Sequence, residues 1–221
     1  MDNYDCFAQE YKEGSERFDG ETRRYFYSFL PDLKEKRLLD VGCGSGGDAA
    51  FYACAGAEVC GIDISEEQLA MARKRESGLF VQGLMENISF ETSRFDIVTS
   101  FYALQHAEDV AKALLEMIRV ARVGGIILVL VEHPFRNLLE GHVNDGNSDY
   151  YAKREVTTYL YDRSIKLKEP GHTMMEYLDP TVLQAARLEL LEEKTDFPAT
   201  EQVISGMIYP TCLILKYRKT L

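Results

Sequence analysis

Three things are scarce in these 221 residues, and each scarcity closes off a class of protein. Long apolar runs are missing. The longest aliphatic stretch, Ile126 to Val131, falls far short of the roughly 20 residues a bilayer-spanning helix needs, and its length suits a strand buried on both faces. Paired cysteines are missing too. Cys6, Cys43, Cys54, Cys60 and Cys212 are odd in number and hold no C-x-x-C spacing, which argues against a disulfide framework or a zinc cluster and leaves buried, reduced thiols as the expectation. Positive charge is in deficit, with 25 Lys and Arg against 36 Asp and Glu, a net charge of −11. Nucleic-acid binders draw affinity from cations on phosphates, so this balance counts against a nucleic-acid substrate. The four histidines show no closely spaced ligand pattern, so no metal is expected. The opening residues MDNYDCFAQEYKEG lack the basic, apolar and small-residue parts of an export signal, and cytoplasmic residence is the expectation.

What is present is a steady alternation of strand-like and helix-like segments, with no repeat and no linker. RLLDV (37–41), EVCGID (58–63), LFVQ (79–82), FDIVTS (95–100) and GIILVLVE (125–132) read as strands. Ser65 and Gln68 have capping-box spacing, which predicts a helix from Glu66 to about Ser77. Ala111, Leu114, Leu115 and Ile118 mark another at helical spacing, with Gly124 as its expected C-terminal cap. Strands alternating with helices predict an α/β fold, a doubly wound, mostly parallel sheet with helices on both faces. Ligands of such sheets sit beyond the carboxyl ends of the strands. From residue 134 the periodicity weakens, and an irregular excursion over the sheet edge is expected there. Thr173 with Glu176 and Asp179-Pro180 then predict helix starts. LELLEEK and TCLILKYRK can supply two final strands, closing the sheet in antiparallel fashion.

The stretch LLDVGCGSGGD (38–48) admits two ligands. Gly42, Gly44 and Gly47 satisfy the G-x-G-x-x-G of dinucleotide loops. Asp40 followed by Gly42, Gly44 and Gly46 also spells an acidic residue before G-x-G-x-G. A carboxylate beside a pyrophosphate costs Coulomb energy, whereas beside an ammonium or sulfonium it gains it. Asp63, at the end of the second strand, has the chemistry to accept hydrogen bonds from a ribose diol. A ligand carrying both a ribose and a positive centre fits the pair.

On these residues the sequence resembles the class I S-adenosylmethionine-dependent methyltransferases, in particular their type 11 group, from the acidic G-x-G-x-G loop through GIDIS to RFDIVTSFYALQH. The resemblance implies S-adenosyl-L-methionine as cofactor and a single Rossmann-like domain over 1–221. Residues 1–36 would be N-terminal helices over the cofactor, 37–133 the cofactor-binding core, 134–180 the acceptor-covering region, and 181–221 a final helix and strands. It implies that Asp40 faces the methionyl amino group, often through water, that Gly42, Cys43, Gly44 and Gly46 bring backbone against the methionyl part, and that Ser100 and Tyr102, after the fourth strand, stand where the family contacts the methionyl end. Asp63 would hold the ribose, Ile64 would pack on adenine, and Tyr11 would lie in a helix folded over the cofactor. Where relatives carry an acidic and a small residue to read adenine, this chain has Leu84 and Met85, so backbone amides or Glu86 would do that work. Glu132-His133-Pro134 resembles a segment after the fifth strand in part of the group, but the His-Arg-Thr stretch of those relatives is here Gly171-His172-Thr173.

The implied function is methyl transfer to O, N or C of a small-molecule acceptor. Tyr102 and His133 are the candidates for work on the reacting groups, and His133 gains from its position at a strand end. His106 reads as a loop anchor or as a member of the site. Tyr150, Tyr151, Tyr159 and Tyr161 either line an acceptor pocket or pack beneath the excursion. The rival readings are methylation of RNA or protein on the same fold, a nicotinamide-dependent oxidoreductase, and a cofactor-binding protein without catalysis. If Asp40 selects a cation, calorimetry should show S-adenosylmethionine or its demethylated product binding in the micromolar range and NAD far more weakly. Tighter binding of NAD than of either would end the methyltransferase reading.

Overall fold

The computed structural model describes residues 8–152, 155–160, 165–195 and 206–220, without the side chains of residues 11 and 18. Seven strands form one sheet: β1 (Arg37–Val41), β2 (Glu58–Asp63), β3 (Leu79–Gln82), β4 (Phe95–Phe101), β5 (Ala121–Glu132), β8 (Ala186–Lys194) and β9 (Cys212–Lys219), in the spatial order β3-β2-β1-β4-β5-β9-β8. The first five pair in parallel; β9 runs antiparallel to β5 and to β8. The predicted antiparallel closure is therefore present. The chain order reverses between β1 and β4, so their carboxyl ends diverge and open the crevice where such folds bind ligands.

Side-chain alternation explains the two-sided packing. On β1, Leu38 joins a cluster with Ala49 and Tyr52 of α3 (Gly47–Cys54) and Leu69 and Ala72 of α4 (Glu66–Arg75). Leu39 and Val41 face the opposite way, onto Leu114, Met117 and Ile118 of α5 (Val110–Val120) and Val182 of α8 (Pro180–Ala185). Each such aliphatic side chain contributes about 1.5–3 kcal/mol when fully buried. The N-terminal helices α1 (Ala8–Phe18) and α2 (Gly20–Tyr27) lie on the α3 side, with Phe26 packed edge-on against Phe101. No helix among the described residues is long and apolar enough to cross a membrane.

Several local expectations are met at the atomic level. The Ser65 side chain accepts from the Gln68 amide and starts α4 at Glu66, although the helix stops at Arg75, two residues short of its predicted end. Asp179 caps α8 with Pro180 in the first turn, and Thr173 with Glu176 forms the capping box of α7 (Met174–Tyr177).

Two expectations fail. Gly124 does not cap α5. That helix ends at Val120 and passes directly into β5, while Gly124, at φ +75°, lies where the β4–β5 register jumps from Phe95↔Ala121 to Ile97↔Ile126. Nor is the segment after residue 134 irregular. Pro134–Asp145 is a helix, α6, and β6 (Glu155–Leu160) and β7 (Ile165–Pro170) form a separate antiparallel hairpin. The Thr157 amide donates to Asp145 and the Asn144 side chain to the Thr157 carbonyl, which ties the hairpin to the end of α6. The helical signal was weak because buried Glu140 and Asn137 stand where apolar residues would have shown the period.

Where α5 turns abruptly into β5, buried Lys219 donates to the carbonyls of Arg119 and Ala121 at 3.1 and 2.9 Å. Lys219→Met keeps the stem and removes these donors. It should lower unfolding stability in urea by about 1–3 kcal/mol; an unchanged midpoint would mean that water replaces the ammonium at no cost.

Candidate active site

The loop after β1 is pinned to the end of β2. The amides of Gly42 and Cys43 both donate to the Ile62 carbonyl, at 2.8 and 3.1 Å. Asp63 receives the Gly44 amide on one carboxylate oxygen (2.8 Å) and the Ser65 amide on the other (2.9 Å). The expected ribose partner thus also fastens the glycine loop and the start of α4. Burial raises its pKa, partly offset by the backbone amides that favour its charged form.

Within this loop the glycines with positive φ are Gly42, Gly44 and Gly46, the G-x-G-x-G set; Gly47 is the first residue of α3 and is not among them. A Cβ on Gly42 would lie 2.2 Å from that of Ala103, and one on Gly46 would lie 3.0 Å from that of Ala72. The loop is therefore squeezed between the segment after β4 and helix α4. Only glycine combines that backbone with that clearance.

Two cavities meet over this loop. One, of about 380 Å³, is bordered by Gly42, Gly44, Asp63, Ile64, Leu84 and Met85, and on its far side by Tyr102 and His106. The other, of about 270 Å³, is bordered by Gly42, Cys43, Gly44, Asp48, Arg23 and Tyr102. Gly42, Gly44 and Tyr102 border both. Tyr102 has φ +48°, an uncommon conformation for a side chain of its size, and so sits at the junction with backbone strain. Ile64 and Leu84 are 42% and 48% exposed, large apolar surfaces left open where a flat ring can be held between them.

Asp40 lies behind the loop and borders neither cavity; it is 2% exposed, with Thr99 donating to one carboxylate oxygen at 3.1 Å and, among the described residues, no hydrogen-bond partner for the other. Burial and the neighbouring charge of Asp48 push its pKa well above the ordinary range. A positive charge brought near would reverse that penalty. An orphaned buried carboxylate oxygen, an open apolar slot and a carboxylate at the slot's edge fit an ammonium, an adenine and a ribose respectively. The residues present are thus suited to S-adenosylmethionine.

Arg23 was not anticipated. From α2 it donates to Asp48 of α3 at 2.9 Å and to the backbone and hydroxyl of Ser15, and its guanidinium lies 4.7 Å above the Phe101 ring. Tyr27 donates to the same Asp48 oxygen. Nothing in the sequence spacing links α2 to the loop, so only the folded chain reveals this cation at the edge of the second cavity.

Other expected residues are placed elsewhere. Ser100 is fully buried in β4, borders neither cavity, and by strand alternation faces away from Thr99 and Asp40. Tyr11 belongs to α1, and its side chain lies outside the described residues, as do Tyr161 and Cys6. The Tyr150 hydroxyl accepts the first amide of α7, Tyr151 is exposed, and neither these two nor Tyr159 borders either cavity. Cys43, Cys60 and Cys212 are buried thiols, but Cys54 is exposed.

His133 requires the largest change of reading. It is the N-cap of α6: its Nδ1 accepts the Phe135 amide at 3.0 Å, and its Nε2 faces Glu193 of β8 at 2.9 Å. Both ring nitrogens are committed, the residue is 3% exposed, and it borders neither cavity. His106, in the short 3-10 turn Leu104–His106, is the histidine that borders the first of the two cavities.

A methyltransferase domain family matches residues 39–129. The malonyl-[acyl-carrier protein] O-methyltransferase of Pectobacterium atrosepticum is 30% identical over 93% of this chain and 91% of its own length. The demethylmenaquinone methyltransferase of Chlorobaculum tepidum is 35% identical, over 46% of this chain and 43% of that one. Among solved structures, an S-adenosylmethionine-dependent methyltransferase of Listeria monocytogenes superposes with a TM-score of 0.70 at 21% identity, covering 90% of this chain and 97% of the other.

Burial lowers the His133 pKa from the usual 6.5 despite Glu193. A histidine depressed in the folded state supports stability above its unfolded pKa, and that support is lost as pH falls below it. His133→Gln should lower stability by about 0.5–2 kcal/mol at pH 8, as loss of a helix cap does. It should also flatten the fall in melting temperature below pH 6.5 and leave S-adenosylmethionine affinity unchanged. Weakened cofactor binding would return His133 to the active site.

Proposed function

The chain belongs to the class I S-adenosylmethionine-dependent methyltransferases of the type 11 group, and on that premise we propose that its acceptor is a small molecule received where the two cavities meet. The cofactor supplies a methyl carbon already activated by a sulfonium. What remains for the protein is to hold donor and nucleophile in line and to exclude competing water. Asp63 holds the ribose, Ile64 and Leu84 the faces of adenine, and Met85 and Glu86 its edge. Asp40 attracts the ammonium from behind the glycine loop, Arg23 takes the carboxylate, and Tyr102 stands at the reacting junction.

The observation that carries the acceptor class is the charge around the cavity mouths. Glu86, Glu108, Asp109, Glu16 and Asp19 stand there against Lys112, Lys12 and Arg75. A rim with this acidic excess repels a polyanionic strand, whose binding needs cations along its path, and it admits a small neutral or cationic molecule. Relatives whose names give malonyl-[acyl-carrier protein] and demethylmenaquinone as acceptors are in keeping with a non-nucleic-acid substrate.

The test is to incubate the protein with S-adenosylmethionine and separate pools of phenols, amines, carboxylates and transfer RNA, reading S-adenosylhomocysteine by mass spectrometry. By-product should accumulate with a small-molecule pool and not with RNA. Accumulation with RNA alone would overturn the proposed acceptor class.

A further inference from the structure

Ser65 and Gln68 carry the spacing of a capping box, in which the glutamine reaches back to the backbone amide of the capping serine. The fold gives that amide to another group. Ser65 donates its amide to Asp63 Oδ1 at 2.9 Å, while the Gln68 amide donates to the Ser65 hydroxyl at 3.2 Å. Half of the box forms, and the Gln68 side chain is left for other use. It turns inward to 2% exposure and borders the larger cavity together with Gly44 and Asp63.

The two ends of a glutamine side chain do opposite work: the NH2 group donates and the carbonyl oxygen accepts. Gln68 Nε2 donates to the carbonyl of Ala8, the first residue of α1, at 3.3 Å. This contact fixes which way round the amide lies, because the reverse would set two acceptor oxygens against each other. Oε1 is therefore the end turned to the glycine loop. A Cβ built on Gly44 would lie 3.8 Å from it, and the Gly44 amide is itself held by Asp63 Oδ2 at 2.8 Å. Oε1 is buried and has no hydrogen-bond partner among the described residues. A buried carbonyl oxygen in that condition is costly and infrequent in native folds. Only a donor relieves it.

Two acceptors thus stand beside Gly44, the carboxylate of Asp63 and the carbonyl of Gln68. A ribose placed at this edge brings two adjacent hydroxyls, each with one hydrogen to donate. The cofactor's ammonium is also a donor, but Gln68 borders the larger cavity and not the second one, into which the methionyl part would extend. We propose that Gln68 is a second ribose-reading residue of the donor site: Asp63 takes one hydroxyl of the diol and Gln68 Oε1 the other, so that full affinity requires a complete ribose. The inference rests on the methyl-transfer reading above and adds to its donor site a residue on α4. The Gln68 contact is between neutral groups, so its loss costs about 3- to 10-fold in affinity, whereas loss of a hydrogen bond to a carboxylate costs about tenfold or more. The same amide ties the start of α1 to α4, so the residue that reads the ribose also seats the helix whose Lys12, Ser15 and Glu16 border the second cavity.

Calorimetry of S-adenosylhomocysteine and its 2′-deoxy and 3′-deoxy forms tests this on the wild type and on Gln68→Met, which keeps the length of the side chain and removes its carbonyl. On the wild type both deoxy forms should bind more weakly than the parent, one by about 3- to 10-fold and the other by more. On Gln68→Met the smaller penalty should vanish, because that hydroxyl has already lost its partner, and the larger should persist. A glutamine that only braces α1 would weaken all three compounds by one factor and leave both penalties in place, which would overturn the proposal. Equal binding of the parent and either deoxy form by the wild type would overturn it as well. Should Gln68→Met not fold, the side-chain carbonyl carbon-13 resonance of wild-type Gln68 decides. A downfield shift with S-adenosylhomocysteine that is absent with one deoxy form supports the contact, and a resonance that responds alike to all three overturns it. Failure of the wild type to bind S-adenosylmethionine or S-adenosylhomocysteine would instead overturn the methyl-transfer reading itself.

Discussion

The Asp63 carboxylate, gripping the amides of Gly44 and Ser65, is the contact on which the rest of the site depends. It joins the glycine loop after β1 to the first turn of α4 and fixes both at the end of β2. Each carboxylate oxygen retains acceptor capacity, so the group can hold the loop and still receive ribose hydroxyls. The cost is a buried charge, which the amides offset. The crowding of Gly42 against Ala103 follows from the same closure, since a loop held this low leaves no space for a side chain.

The two cavities are bordered by different parts of the chain besides the loop they share. The parallel half of the sheet supplies the ends of β1 and β2, and α2 adds Arg23 beside Asp48. The turn after β4 and the β6–β7 pair outside the main sheet meet at the contact of His106 with Glu169 of β7, whose Oε2 lies 3.0 Å from the ring Nδ1. His133, although at a strand end, is taken up by the start of α6 and by Glu193. At the start of α6 an imidazole that accepts an amide fixes the direction in which the helix leaves the sheet.

Legibility in the sequence tracked how local each determinant was. The bounds of β1 and β2 fall where the apolar runs place them, because a strand buried on both faces writes nearly its whole length in hydrophobic residues; those of the edge strand β3 match as well, although only Phe80 of it is buried. Ser65 and Asp179 announced their helices because a cap is an interaction across two or three residues. Helix α6 was hidden by the buried polar residues Asn137 and Glu140, and Gly124 misled because positive φ serves a register jump as readily as a helix end. For Glu169 a signal existed, since the alternation in IKLKE puts an acid on an inward face, but without the hairpin's partner the pattern names no target.

By itself, then, the sequence determined the doubly wound sheet, the glycine loop and the two aspartates beside it, and through them the kind of ligand the loop admits. Those features are set by periodicity, by the left-handed backbone that glycine permits, and by the sign of a charge, all of which act within a few residues. Only the tertiary structure decided which histidine meets the cavity, which cation stands beside Asp48, and that Asp40 keeps a carboxylate oxygen without a partner among the described residues. Arg23 and Asp48 are 25 residues apart, and His133 and Glu193 are 60 apart. Contacts across such distances are made by the packing of helices and hairpin on the sheet, where a side chain's neighbours are set by geometry and not by its place along the chain.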